Sequence, residues 1–423
     1  MKRILLISDL FYPNNIIGAL RPTKIAKALT ARGYTVDVFT RYRVDAAELH
    51  SQKICSHLYG FQDIPQPEQP SAPGFLGRCK QNIKQNCPGL FSRLKKLSDF
   101  SYYRATVSDA RDMEQQMVTI LSQVPVYDVV FSTFGPLSSV LCGLKYKQLH
   151  PEVNWICDFR DPMVSKHVPH VYRHLFRSCQ EQACHQADSI VAVSNGYLER
   201  ICQGRWSEKS HMIPNGYDLQ DFTAGDRKTS RKFTVTYVGA LYGGDRDLTP
   251  LFRAVSELRE EGVIDTELFS FDYAGDEPDV FAGQAKKFGV ESMVTDHGIL
   301  RRKDCLDLQF SSQMLVLSTW NDKTDYGVFP GKLLEYMLIG APIVSLTCGT
   351  MAGGEVTRVI REGKLGIAYE QAADALDYPQ LKSYLKESYL RWKQTGSLDF
   401  HPDQAVLDRY NYETVIDRIE KLL

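Results

Sequence analysis

The sequence predicts an α/β protein of two domains, each built on a parallel sheet. Three observations carry this. The first forty residues run apolar segment, loop, amphipathic helix, apolar segment, which is one βαβ unit and hence a parallel pair of strands. A fresh βα series begins at Phe233-Thr-Val-Thr-Tyr-Val238. With 423 residues, 43% of them hydrophobic and 24% charged, the chain has ordinary globular composition and the length for two large domains.

Taken in order, Ile4 to Ile7 reads as a strand buried on both faces, followed by the loop from Asp9 to Gly18. A helix is expected to open near Arg21-Pro22, because proline is tolerated in a first turn, with Ile25, Ala28 and Leu29 as its inward stripe. Gly33 ends it, and Tyr34 to Phe39 is the second strand. From about Ala46 to Tyr103 the pattern is irregular. Alternation resumes with strands at Val129–Ser132, Asn154–Cys157 and Ser189–Val193, then a connector from Ile213 to Arg231. The second series places strands near 268–273, 293–296, 314–318 and 342–346, with helices at 248–260 and 330–339. This divides the chain into domains at 1–210 and 211–404, with a last segment of about 405–423.

Charge and composition limit the partners. Fifty Lys+Arg oppose 51 Asp+Glu, so a net charge of -1 supplies no global field for nucleic acid, and no nucleic-acid partner is expected. The start, Met1-Lys2-Arg3 before Ile4 to Ile7, reaches Ser8-Asp9 too soon for a signal-peptide core, and no apolar run nears the roughly 18 residues of a membrane span. A cytoplasmic location is expected. Residues 76–96 carry Arg78, Lys80, Lys84, Arg93, Lys95 and Lys96 with no acid, interleaved with Leu76, Ile83, Leu90, Phe91 and Leu94; a solvated helical hairpin or a segment lying on the anionic inner face of a cell membrane both fit. The ten cysteines are scattered, and Cys179-x4-Cys184-His185 lacks a second ligand pair, so structural thiols are expected there and no metal. His167, His170 and His174 read as loop and helix residues.

Three segments bear candidate chemistry. In Asp325-Tyr-Gly-Val-Phe-Pro-Gly-Lys-Leu-Leu-Glu335, Gly327 and Gly331 let backbone approach a ligand, the helix start near Pro330 points its positive end at an anion, and Lys332 adds a full charge. Glu335, three residues on, shares its helix face and suits ribose hydroxyls. The plain alternative is a solvent-exposed Lys/Glu pair. Gly239-Ala-Leu-Tyr-Gly-Gly-Asp-Arg246 follows a strand, so Gly239 and Gly243-Gly244 suit a phosphate turn and Arg246 suits a diphosphate. Asp158, Arg160 and Asp161 cluster at a strand's end, where charges need partners or ligands; an Asp–Arg salt bridge is the alternative.

With Gly18-Ala-Leu-Arg21, Ser132-Thr-Phe-Gly-Pro136, Asp158-Phe-Arg-Asp-Pro162, Ser194-Asn195, Ile213-Pro-Asn-Gly216, Tyr237-Val-Gly-Ala-Leu241, His297-Gly298 and Pro330-Gly-Lys-Leu-Leu-Glu335 in this order, the chain resembles the family-four retaining glycosyltransferases, in the branch that builds bacterial surface polysaccharides. The resemblance implies a GT-B fold, two facing Rossmann-like domains with a central cleft, and a metal-independent hexosyltransferase (EC 2.4) without cofactor. It implies a nucleotide-sugar donor in the C-terminal domain and a glycan or lipid-linked acceptor in the N-terminal one, onto which residues 405–423 return. Arg246 and Lys332 would meet the diphosphate, Glu335 the ribose, Gly298 and Ile299 the base, and Gly18, Arg21, Gly239, Gly327 and Val328 the substrates. Asp161 or Asp158 would orient the acceptor hydroxyl or the sugar, with Arg160 anchoring an anionic acceptor group. Relatives often carry a glutamate where Gly327 stands, eight before Glu335, with Asp325 as substitute, and a histidine in the Asp158–Asp161 segment. A catalytically silent member of the same fold stays open, whereas a nicotinamide-dependent oxidoreductase lacks its Gly-x-Gly-x-x-Gly spacing.

Overall fold

The computed structural model describes residues 2–14, 17–63, 88–165, 168–218 and 231–423. Two compact units form, one from Met1–Val193, Tyr197–Ile213 and Ile416–Leu423, the other from Ser194–Gly196 and Pro214–Val415. The first holds β1 (Arg3–Ile7), β2 (Thr35–Tyr42), β3 (His57–Gln62), β4 (Val129–Phe134), β5 (Asn154–Phe159), β6 (Ser189–Ala192) and β7 (Ser210–Met212). They pair in parallel in the order β3-β2-β1-β4-β5-β6-β7. The second holds β8 (Phe233–Val238), β9 (Phe269–Ala274), β10 (Val294–Asp296), β11 (Met314–Trp320), β12 (Ile343–Cys348) and β13 (Gly366–Glu370), parallel in the order β10-β9-β8-β11-β12-β13. Both are doubly wound. Each reverses its strand order once, between β1 and β4 and between β8 and β11, and such reversals open a crevice at the strands' C-terminal ends.

The strands form where β-branched, aromatic and other apolar residues cluster, and the central strands are buried on both faces. Every residue of β8 is buried. Its odd positions, Phe233, Val235 and Tyr237, enter an aromatic core with Phe252, Phe271, Tyr273, Phe281 and Tyr389. The opposite face packs Leu315, Leu317, Leu333, Tyr336 and Ile343 with Val406, Leu407 and Tyr410. That last contact shortens the returning segment: residues 404–415 stay with the second unit, and only Ile416–Leu423 join the first, through Arg32 to Asp417 (2.7 Å) and Glu420 (2.7 Å). The irregular stretch also resolves. It contains β3 and the start of a helix at Pro88–Leu121, while residues 64–87 lie outside the described residues.

The first helix begins at Ile17, earlier than expected, so Pro22 sits inside it. Proline has no N–H for the carbonyl four residues back, which leaves the Gly18 oxygen without its helical donor. Arg160 Nη1 supplies one. The same guanidinium donates to Phe134 O (2.9 Å) and Gly135 O (2.7 Å), so Arg160, expected to bind an anionic acceptor group, clamps three backbone carbonyls. The Asp–Arg alternative at the end of β5 is realised with a different arginine. Arg21 meets Asp158 through both Nε (3.0 Å) and Nη2 (2.9 Å), Thr133 donates to the same carboxylate (2.8 Å), and Arg21 also reaches Ile213 O (3.1 Å).

With 0% and 2% of their surface exposed, Asp158 and Arg21 are interior partners of one another. Both were expected at the substrate, and here their charges are spent on one another. A second buried pair ends β1: Arg41 grips Asp9 (2.6 and 2.7 Å), with Ser138 Oγ donating to it at 2.5 Å. Removing one member of a buried pair strands the other, at a cost of about 3–5 kcal/mol. Asp158→Ala is therefore expected to lower unfolding free energy by about that amount in equilibrium denaturation; a loss below about 1 kcal/mol would contradict the pairing.

Candidate functional site

At the C-terminal end of β8 the chain must turn sharply, and Gly239 does so at φ +117° while its N–H donates to Ala274 O (2.7 Å). The loop that follows is tied inward. Glu277 accepts from the amides of Leu241 (2.6 Å) and Gly243 (2.7 Å), and Gly244 N–H donates to Leu241 O. The Gly243-Gly244 amides expected to cradle phosphate thus serve the loop itself. The loop's contribution is its cation. Arg246 Nη1 donates to Tyr237 Oη (3.1 Å) and Ala240 O (3.0 Å), and its guanidinium carbon lies 4.8 Å from the Tyr242 ring and 5.8 Å from that of Trp320. Arg246 Nε is buried with no hydrogen-bond partner among the described residues.

From β11 the chain enters the helix Gly331–Ile339, whose cap, Pro330, offers no side-chain acceptor to its first amides. Lys332, in the first turn, reaches back across the strand reversal: Nζ donates to Val238 O and lies 5.6 Å from the Tyr237 ring centroid. Glycine leaves room for this, since a Cβ at position 239 would meet Nζ where it now lies. Gly239 and Arg246 from one predicted segment and Lys332 from another therefore meet around one side chain, Tyr237. Sequence reasoning placed Tyr237 in a strand and at the head of the segment Tyr237-Val-Gly-Ala-Leu241 but gave it no role, because a buried tyrosine in a strand looks like core; its two-residue spacing from Gly239 was the available signal.

The remaining predicted residues are placed as follows. Glu335 is held by Arg302 at 2.6 Å, with 15% of its side chain exposed. Gly298 (φ +63°) has its amide on Asp296 Oδ1 (2.9 Å), and Ile299 is 81% exposed. Gly327 adopts φ +79°, with its carbonyl accepting from Ser194 Oγ (2.6 Å), and Val328 is half-buried beside it. Asp325, the expected substitute for an upstream glutamate, accepts from Trp320 Nε1 (2.9 Å) and supports the aromatic pair around Arg246. In the first unit, Gly18 abuts Arg160, and Asp161 is exposed. Among the described residues no group of three His, Cys, Asp or Glu is arranged to hold a metal ion.

No protein-family model and no curated protein matches this sequence. Solved structures do match its architecture end to end. A sucrose-phosphate synthase from Thermosynechococcus elongatus superposes with TM-score 0.58 at 14% identity, over 100% of this chain and 98% of that one. The lipopolysaccharide outer core galactosyltransferase WaaB gives 0.57 at 14% identity, over 100% and 99%. An α,α-trehalose-phosphate synthase (UDP-forming) from Burkholderia xenovorans gives 0.57 at 11% identity, over 100% of each. The chain has the GT-B fold. At these identities the likeness is one of fold, and the chemistry of this GT-B chain rests on its own residues.

Those residues form an electropositive centre. Burial first, and repulsion from Arg246 second, together pull the Lys332 ammonium down to about 8, against the opposing pull of Glu335. Burial pushes the Tyr237 phenol up to about 12, so it keeps its proton and donates to Ala240 O (2.8 Å), leaving its lone pairs to accept from Arg246. Since a depressed ammonium loses its proton as pH rises through its own value, pulse acetylation of Lys332, followed by peptide mass spectrometry, is expected to be half-maximal near pH 8. A midpoint near the ordinary lysine value of about 10.4 would contradict the placement.

Proposed function

We propose that this GT-B chain transfers a hexose from a nucleotide-sugar donor to a hydroxyl of a glycan or lipid-linked acceptor, with retention, in the synthesis of a cell-surface polysaccharide. The observation that carries the reading is the pair of cations, Arg246 and Lys332, gathered on Tyr237 where the second sheet reverses. Two positive groups with unfilled donor capacity beside an uncapped helix start suit a diphosphate. The structural neighbours, a galactosyltransferase of lipopolysaccharide and a UDP-forming synthase among them, support the same reaction class.

In this reading the second unit holds the donor and the first the acceptor. The bond from the anomeric carbon to the β-phosphate oxygen breaks, its electron pair staying on that oxygen, where Arg246 and Lys332 stabilise the growing charge. The acceptor oxygen bonds the anomeric carbon from the same face and its proton passes to the departing phosphate. Asp161, exposed at the end of β5, orients the acceptor hydroxyl. Glu335 shares its carboxylate between Arg302 and the ribose, and the base lies along Gly298 and Ile299. Side-chain cations carry the phosphate charge, so no metal or other cofactor is required. The six basic residues interleaved with apolar ones favour an anionic membrane face as partner of residues 76–96; Phe100 and Tyr102, exposed further along the helix Pro88–Leu121, add apolar anchors.

A catalytically silent reading has one observation in its favour, the absence of a carboxylate at Gly327 with Asp325 committed to Trp320. Titration with UDP, GDP and ADP, then a turnover assay with lipid-linked acceptor, separates the two. Arg246→Ala and Lys332→Ala are each expected to lower turnover by about 100-fold, the usual scale for one lost electrostatic donor. Unchanged rates would remove both from the leaving-group site. Flotation with anionic vesicles is expected to weaken as salt rises and when the six basic residues of 76–96 are neutralised; flotation indifferent to both would refute the membrane partner.

A further inference from the structure

Both cations of the site rest on one uncharged side chain. The hydroxyl of Tyr237 spends its only proton on Ala240 O (2.8 Å) and must therefore be the acceptor in its contact with Arg246 Nη1 (3.1 Å). Its ring lies 5.6 Å from Lys332 Nζ, within the range where an ammonium is drawn to an aromatic face. The ring itself cannot shift, because it is 2% exposed and stacks on Tyr273 (6.2 Å) and Phe281 (6.5 Å) within the aromatic core. Arg246 is flanked on its outer side by Tyr242 and Trp320, which leave its direction to be set by its two acceptors.

We propose that Tyr237 is a positioning residue that orients both cations toward one bound diphosphate, its hydroxyl aiming Arg246 and its ring seating Lys332. This rests on the donor-site reading above and adds how that site is held. Two like charges brought to one place repel, and without a fixed mount each swings outward into water. Tyr237 supplies a dipole for one and a π-face for the other at no cost in charge. The groups facing Lys332 are Arg246 from the loop after β8, Tyr237 from the strand, Glu335 and Tyr336 from its own helix, and Cys305 and the Glu335-bound Arg302 from the helix Arg302–Ser311. Among the described residues, Tyr237 hydrogen-bonds one cation and presents its ring to the other.

The test is a double-mutant cycle of Tyr237→Phe and Arg246→Ala, read in two ways on full-length protein whose thermal midpoint shows it folded. Isothermal titration with UDP, and with GDP and ADP as parallel probes, is expected to show Tyr237→Phe weakening binding about fivefold to tenfold, with less than a twofold further effect in the Arg246→Ala background. The second readout needs no ligand. With Arg246 released, Lys332 loses a repelling neighbour, so its acetylation midpoint is expected to rise in Tyr237→Phe, to rise in Arg246→Ala, and to rise no further in the double variant. An unchanged midpoint in Tyr237→Phe, or an effect on binding that adds in full to that of Arg246→Ala, would overturn the proposal. If no nucleoside diphosphate binds the unmodified protein, the donor-site reading fails, and the acetylation midpoints alone decide the role of Tyr237.

Discussion

A missing side chain governs the second unit's candidate site. Lys332 has room to reach the carbonyl of Val238 because position 239 has no Cβ, and the same residue, at φ +117°, turns the chain so that Arg246 returns to Tyr237. An ammonium in that position is partly desolvated and faces another cation, which is why its proton is held less firmly than that of an exposed lysine. A folded chain rarely keeps two positive groups together without an acid between them. Glu335 is near, but its carboxylate is drawn to Arg302. The arrangement is one that a polyanion completes.

The first unit shows the opposite solution at the same point of its sheet. There the strand ends carry Asp9 with Arg41 and Asp158 with Arg21, each pair two-pronged, buried and supplemented by a hydroxyl from Ser138 or Thr133. Charge is neutralised within the fold, and the pairs fix the loops that leave β1 and β5. Arg160 extends the scheme by replacing the amide that Pro22 lacks. Strand-end charges thus have two unlike uses in one molecule, mounting loops in one unit and collecting unpaired cations in the other.

Local periodicity made most of the architecture legible. Strand-forming runs, such as Ile4 to Ile7 and Phe233 to Val238, fell in strands because a parallel sheet covered on both faces buries the whole run. Short or mixed strands escaped: β3, His57-Leu-Tyr-Gly-Phe-Gln62, is only partly buried, and β7 has three residues. At the candidate site, residue type singled out Arg246, Lys332 and Gly239, which the fold brings together, since a helix start, a lysine and a glycine turn announce themselves. For Asp158, Arg21 and Arg160 the sequence shows that a charge must be satisfied without showing by what. Their partners lie far along the chain, Arg21 being 137 residues from Asp158. Tyr237 was silent for the same reason, its importance lying wholly in what packs on it.

The most direct measurement is a crystal structure of the chain with UDP or another nucleoside diphosphate that binds it. The account predicts β-phosphate oxygens within hydrogen-bonding distance of both Arg246 and Lys332, with Nζ turned from the Val238 carbonyl toward the ligand. A diphosphate bound elsewhere, with Lys332 still on Val238 and Arg246 without ligand contact, would contradict it.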